Sequence, residues 1–221
     1  MKYQKGSIFK PENNHYKSAG ILLLVGCIQY ILAVNIAEAM FPGYSIALNS
    51  LSDLGGSLPL VEPAALIFNL SNILLGILIV VSVYLILKSG GCRLFSSCLA
   101  IFGICIAALG IFPEYTHAIH VTFATIAFIS GSLALIFSYR LGINIPMTII
   151  SIVLGLTALI TLISPLIFGM GATNPIGALI GKGGSERLII YPIIIYLTAL
   201  GGYLASRGED WVRIRFTDGY W

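Results

Sequence analysis

The stretch from Ala64 to Lys88, AALIFNLSNILLGILIVVSVYLILK, decides the fold. It carries no charge before its last residue, and its polar members Asn69, Ser71, Asn72 and Ser82 are uncharged. As a helix rising about 1.5 Å per residue, it is long enough to cross the roughly 30 Å of hydrocarbon in a bilayer. A helix resting on a soluble core would show a polar face; a helix that is apolar all round is buried in a large protein or in lipid.

Working outward, five further stretches read the same way: Ser18 to Met40, Leu94 to Phe112, Ala118 to Tyr139, Pro146 to Met170 and Leu188 to Ser206. Together they use up most of the 221 residues, of which 57% are hydrophobic and only 10% charged. Soluble domains carry about 25% charged residues, so lipid is the solvent that this balance fits. The chain therefore reads as an all-α membrane protein, a six-transmembrane-helix bundle spanning 18–206, with terminal segments at 1–17 and 207–221. No room remains for a separate soluble domain.

Punctuation supports the division. Ser89-Gly90-Gly91 separates the second and third spans, Pro113 suits the first turn of the fourth, and Pro146 opens the fifth. Pro165 and Pro192 fall within spans, where neighbouring helices can satisfy the freed carbonyls. If the N-terminus is cytoplasmic, Lys2, Lys5, Lys10, Lys17, Lys88, Arg93, Arg140, Arg207, Arg213 and Arg215 all lie inside, leaving Lys182 and Arg187 outside. That asymmetry predicts a multi-pass protein of the cell membrane with both termini cytoplasmic. Lys17, the apolar run after it and Ala37-Glu38-Ala39 mimic a signal peptide, but the run is too long and a charge sits at the cleavage position, so retention is expected. Cys27, Cys92, Cys98 and Cys105 show no C-x-x-C spacing and read as small packing residues.

With that orientation Glu38, Asp53, Glu62, Glu114, Glu186, His117 and His120 all map to the outer end. In Pro113-Glu114-Tyr115-Thr116-His117-Ala118-Ile119-His120, a helix starting at Pro113 would place Glu114, His117 and His120 on one broad face. Such groups below the surface face the bundle interior or water and find partners. The spacing is not H-E-x-x-H, and hydrogen-bonded histidines are the commoner arrangement, so no metal is assigned. In the long outer loop, Asn49, Ser50, Ser52 and Asp53 are cap and turn formers, and Gly55-Gly56 ends a short helix. Leu48, Leu51 and Leu54 make that helix amphipathic, lying on the membrane or over the bundle mouth. Before the last span, Gly181-Lys182-Gly183-Gly184-Ser185-Glu186-Arg187 reads as a loop in which Ser185 caps the helix and Glu186 complements its dipole. Arg187 needs a carboxylate, with Asp53 and Glu114 as candidates, or a lipid phosphate. The glycines lack the spacing of a nucleotide loop but suit a looser anion site. Within the spans Gln29, Asn35, Asn69 and Asn72 are read as helix-to-helix hydrogen-bonding residues. No internal repeat, gating arginine series or filter-like loop is present.

Asn49-Ser50-Leu51-Ser52-Asp53-Leu54-Gly55, the Phe112-Pro113-Glu114 step with His120, and Glu186-Arg187 together resemble the prokaryotic membrane family described as domain of unknown function 998. The resemblance runs in order over essentially the whole chain, and N-S-x-S-D-L-G is its most specific element. It implies an integral membrane protein and marks His120, rather than His117, as part of the pattern. It leaves reaction, cofactor and ligand open.

Three functional readings follow. In the first, His120, Glu114 and Asp53 supply acid/base chemistry while Asn49, Ser52, His117, Lys182, Glu186 and Arg187 hold a lipid or lipid-linked headgroup, Arg187 taking its phosphate. Membrane lipids, an anionic headgroup among them, would be the partners, and no nucleic acid is expected. In the second, a small proton-coupled transporter uses the same groups as a relay. In the third, a non-catalytic scaffold uses them to lock the outer helix ends.

Overall fold

A computed structural model describes residues 13–169 and 173–207. Among the described residues the chain is all-helical. The elements are α1 (Asn13–Met40), α2 (Asp53–Gly56), α3 (Ala64–Lys88), α4 (Arg93–Ile111), α5 (Ala118–Phe137), α6 (Ile145–Phe168) and α7 (Pro175–Arg207), with 3-10 turns at Glu114–Thr116 and Ser138–Leu141. All but α2 are long and apolar enough to cross a membrane, which is the six-span bundle read from the sequence. Of the basic residues used to orient the chain, Lys2, Lys5, Lys10, Arg213 and Arg215 lie outside the described residues, as does Met170 at the expected end of the fifth span.

The six long helices form a closed ring in which α1 packs on α3, α3 on α4, α4 on α5, α5 on α6, α6 on α7 and α7 back on α1. Helix α1 shows how the two solvents are divided. Leu23, Cys27, Tyr30 and Val34 are buried, while Val25, Ile28, Leu32 and Ile36 are exposed on the other side. Both faces are apolar, so the outward one is matched to lipid chains rather than water. Between α3 and α4 the backbones approach so closely that a Cβ on Gly76 would meet the Gly103 carbonyl, the small-residue packing usual where helices associate in lipid.

Alternating helix directions bring the 41–63 segment, the 112–117 turn and the start of α7 to one end of the ring. Lys17, Lys88, Arg93 and Arg140 collect at the other.

Two expectations are corrected. Pro113 does not begin the fourth helix. It adopts an extended conformation ahead of the 3-10 turn, and His117, at φ 49°, separates that turn from α5. A positive φ cannot propagate α-helical hydrogen bonds, so Glu114, His117 and His120 do not share a helix face. The last helix begins at Pro175 rather than Leu188. Asn174 caps it, its side-chain oxygen accepting from the N–H groups of Ile176 (3.0 Å) and Gly177 (3.3 Å), with Pro175 at the first helical position. The glycine-rich stretch is thus helical apart from a break at Gly181 (φ 76°). Only glycine suits that break, because a Cβ there would be strained and would also meet the Ala47 carbonyl. Ser185 is not a cap; its hydroxyl donates to the Gly181 carbonyl at 2.8 Å.

Candidate functional site

The 41–63 segment folds across the mouth of the ring instead of lying on the membrane. Leu51 and Leu54 point into the bundle and are buried, whereas Leu48 remains 76% exposed. The backbone turns over residues 45–49, where the Asn49 N–H donates to the Ser45 carbonyl at 2.7 Å and Asn49 Oδ1 accepts the Ser45 N–H at 3.1 Å. Asp53 repeats the device one turn later, accepting the Ser50 N–H at 2.7 Å, and Asn49 Nδ2 reaches the same carboxylate at 3.4 Å. Below, Asn69 on α3 donates to the Gly55 carbonyl at 3.0 Å, tying α2 to the bundle. On the α7 side, the Lys182 N–H donates to the Ala47 carbonyl at 3.0 Å.

Three polar groups meet this segment. In the first, Glu186 accepts the Leu51 N–H at 2.6 Å with one oxygen and the Ser52 hydroxyl at 2.9 Å with the other. Ser52 Oγ also lies 3.0 Å from His120 Nε2, and His120 Nδ1 lies 2.8 Å from the Phe112 carbonyl. His120 is buried in the first turn of α5. A cavity of about 20 Å³ lies beside this triad, with Asn72, Tyr30 and Phe68 on its wall. One water needs about 10–15 Å³, so it has the room of a single water.

The second group is nearer solvent. Lys182 Nζ sits 3.2 Å from Asp53 and 3.4 Å from Glu114, and its side chain is 55% exposed. Burial, then the hydrogen bond with Asp53, pushes Glu114 up to about 7, although the Lys182 charge opposes them. Burial alone would raise Asp53 as well, but hydrogen bonds from Glu114 and the Ser50 N–H, with the charge of Lys182, hold it below the usual carboxylate range. The two acids are thus pushed apart, Glu114 titrating near neutrality and Asp53 staying ionised.

The third group centres on Arg187, which is buried. Its guanidinium pairs with Glu38 at the end of α1, donates to the Tyr44 hydroxyl at 2.8 Å and to the Gly183 carbonyl at 3.0 Å, and lies 5.6 Å from the centre of the Tyr44 ring. Its carboxylate partner is therefore Glu38, not Asp53 or Glu114.

The structure thus gathers Asn49, Ser52, Asp53, Glu114, His120, Lys182, Glu186 and Arg187 at one end of the ring. His117 stands apart, exposed on the 3-10 turn. Glu38 and Tyr44 complete the cluster and were not among the expected site residues. Glu38 did carry a signal, since an acid near the end of an apolar run requires a partner. Gln29 makes the expected helix-to-helix bond, to the Ser71 carbonyl at 3.2 Å, while Asn35 and Asn72 bond within their own helices. Among the described residues no group of three or more His, Cys, Asp or Glu side chains is arranged to hold a metal ion.

Fold and site together define a multi-pass helical membrane protein whose polar residues concentrate at one end of the bundle. The model of the family described as protein of unknown function (DUF998) matches residues 24–203, and the chain belongs to that family. No curated protein and no solved structure matches it.

Proposed function

We propose that the protein resides in the cell membrane with both termini cytoplasmic, and that its polar end, facing outward, binds an anionic lipid or lipid-linked headgroup. There Glu114 or His120 exchanges a proton with the bound group. The observation that carries this reading is the half-exposed Lys182 ammonium beside Asp53 and Glu114. With Glu114 protonated near neutrality, the three groups sum to zero charge, so an arriving phosphate meets an accessible cation without net repulsion. The apolar outer faces of the helices hold this end at headgroup level. The clustering of Lys17, Lys88, Arg93 and Arg140 at the opposite end supports the orientation.

Native mass spectrometry of the full chain from mild detergent tests the reading. A bound anionic lipid retained by the wild type and lost in Lys182→Gln supports it; a lipid-free wild type, or equal retention in the variant, overturns it. A structural reading has its own support, because Arg187 is buried and already bonded to Glu38, Tyr44 and Gly183, and the cavity takes only a water. A scaffold would lose thermal stability in Lys182→Gln without any change in bound lipid.

A further inference from the structure

The hydrogen bonds around Ser52 do not close with the ordinary number of protons. The Phe112 carbonyl has no hydrogen to give, so His120 Nδ1, 2.8 Å away, carries one. Ser52 has a single hydroxyl hydrogen, yet its oxygen lies 2.9 Å from Glu186 Oε1 and 3.0 Å from His120 Nε2. A neutral imidazole and an ionised carboxylate would both be acceptors there. One of the two contacts would then set lone pair against lone pair in a largely buried site, where an unmade hydrogen bond costs most. One additional proton removes the conflict.

We propose that His120, Ser52 and Glu186 form a proton relay that holds one shared proton, with the Ser52 hydroxyl as its bridge. The relay has two forms. In one, Glu186 Oε1–H donates to Ser52 Oγ, and the Ser52 hydroxyl donates to a bare Nε2. In the other, the Glu186 proton has moved to Oγ and the former hydroxyl proton to Nε2. Two O–H bonds break, one O–H and one N–H bond form, and a neutral pair becomes a carboxylate and an imidazolium. The 2.6 Å bond from the Leu51 N–H to Glu186 Oε2 favours the carboxylate side. The charged and titratable groups around the relay are Tyr30 and Glu38 from α1, Tyr44 and Asp53 from the crossing segment, Glu114 from the 3-10 turn, and Lys182, Arg187 and Tyr191 from α7. Asn72 from α3 is uncharged, and α4 offers the apolar Ile106 and Leu109 to the cavity. Ser52, His120 and Glu186 all line the one-water cavity, so the shared proton is held beside a water site, a property that goes beyond headgroup binding and does not depend on it.

The chain has three histidines, so ring-labelled protein in nanodiscs gives three sets of imidazole nitrogen signals, and His120→Gln identifies the relevant one. At neutral pH the wild type is expected to show hydrogen on both His120 nitrogens, or, in the other form, an undissociated Glu186 band that disappears from the infrared spectrum of Glu186→Gln. In Glu186→Gln the new amide donates to Ser52, its oxygen accepts the Leu51 N–H, and Ser52 donates to Nε2. That network closes with one proton fewer, so the ring becomes singly protonated while the fold is kept. Ser52→Ala should also lose the shared proton and Ser52→Thr restore it; if Ser52→Ala does not fold, Glu186→Gln decides. A wild type with a singly protonated ring and an ionised Glu186, or a doubly protonated ring unchanged by Glu186→Gln, overturns the relay. No ligand enters the measurement, so its outcome is separate from that of the lipid-binding test.

Discussion

Arg187 and Glu38, 149 residues apart in the chain, form an ion pair that joins the end of the first span to the last helix, past its break at Gly181. The helices that carry them, α1 and α7, close the ring, and Tyr44 from the crossing segment presents its ring to the same guanidinium and accepts from it with its hydroxyl oxygen. The side chains are 9% and 20% exposed, so each charge depends on the other for its solvation.

Breaking that pair from one side leaves an uncompensated charge. Glu38→Gln and Arg187→Gln are each expected to cost about 3–5 kcal/mol, and the double variant less than their sum. Denaturation of the four proteins in one detergent measures the coupling. Strict additivity would show that the pair contributes nothing.

Glu114 gives stability a defined pH dependence. Its carboxyl is raised in the folded protein from 4.5 to about 7, so the protonated form is the one that folding favours. Its contribution is complete below about 4.5 and is lost as pH rises through about 7. Asp53, held low, acts oppositely, and its contribution disappears as pH falls below its ordinary value of 3.8. Melting temperature should therefore fall between pH 4.5 and 7 in the wild type, and Glu114→Gln should flatten that slope.

The two neighbouring histidines should behave differently. His120→Ala leaves the Phe112 carbonyl without its side-chain partner and Ser52 with Glu186 alone, and is expected to cost about 1–3 kcal/mol. His117 is exposed at φ 49°, where glycine is at ease, so His117→Gly should be neutral or stabilising by up to about 1 kcal/mol. Thermal unfolding of both variants under one condition makes the comparison.

Gly183 lies under the crossing segment, where a Cβ would run into the Asn49 and Ile46 carbonyls. Gly183→Ala should lift that segment and cost about 1–3 kcal/mol. Faster amide exchange at Leu51 and Leu54, with the remote α3–α4 interface unchanged, would be the measured sign.

The orientation can be checked directly. A fluorescent reporter fused to the C-terminus, and one inserted in the turn at 142–144, should both fold in the cytoplasm. A periplasmic or extracytoplasmic reporter inserted after Leu58, which is exposed on the crossing segment, should be active.

The long spans were legible because crossing hydrocarbon imposes a length and an apolar composition on each helix separately. Ala64–Lys88 needs no knowledge of its neighbours, and its bounds in the sequence are those of the folded helix. The last helix was misread because local composition argued against it. Glycines at 181, 183 and 184 have poor helix propensity, yet those at 181 and 183 let the backbone at Ile46, Ala47 and Asn49 pack against the helix, and tertiary contact prevailed over propensity. The Asn174-Pro175 cap was the overlooked local signal.

What the sequence determined by itself was the class of solvent, the number of spans and the end of the bundle that holds the polar residues. Each of these depends on runs of neighbouring residues. Which polar residue meets which was decided only in the tertiary structure. Glu38 rather than Asp53 faces Arg187, Ser52 bridges His120 and Glu186, and His117 is turned away by one positive φ. Those pairings join positions as much as 149 residues apart, and they depend on how six apolar helices close into a ring whose outer contacts carry no polar code.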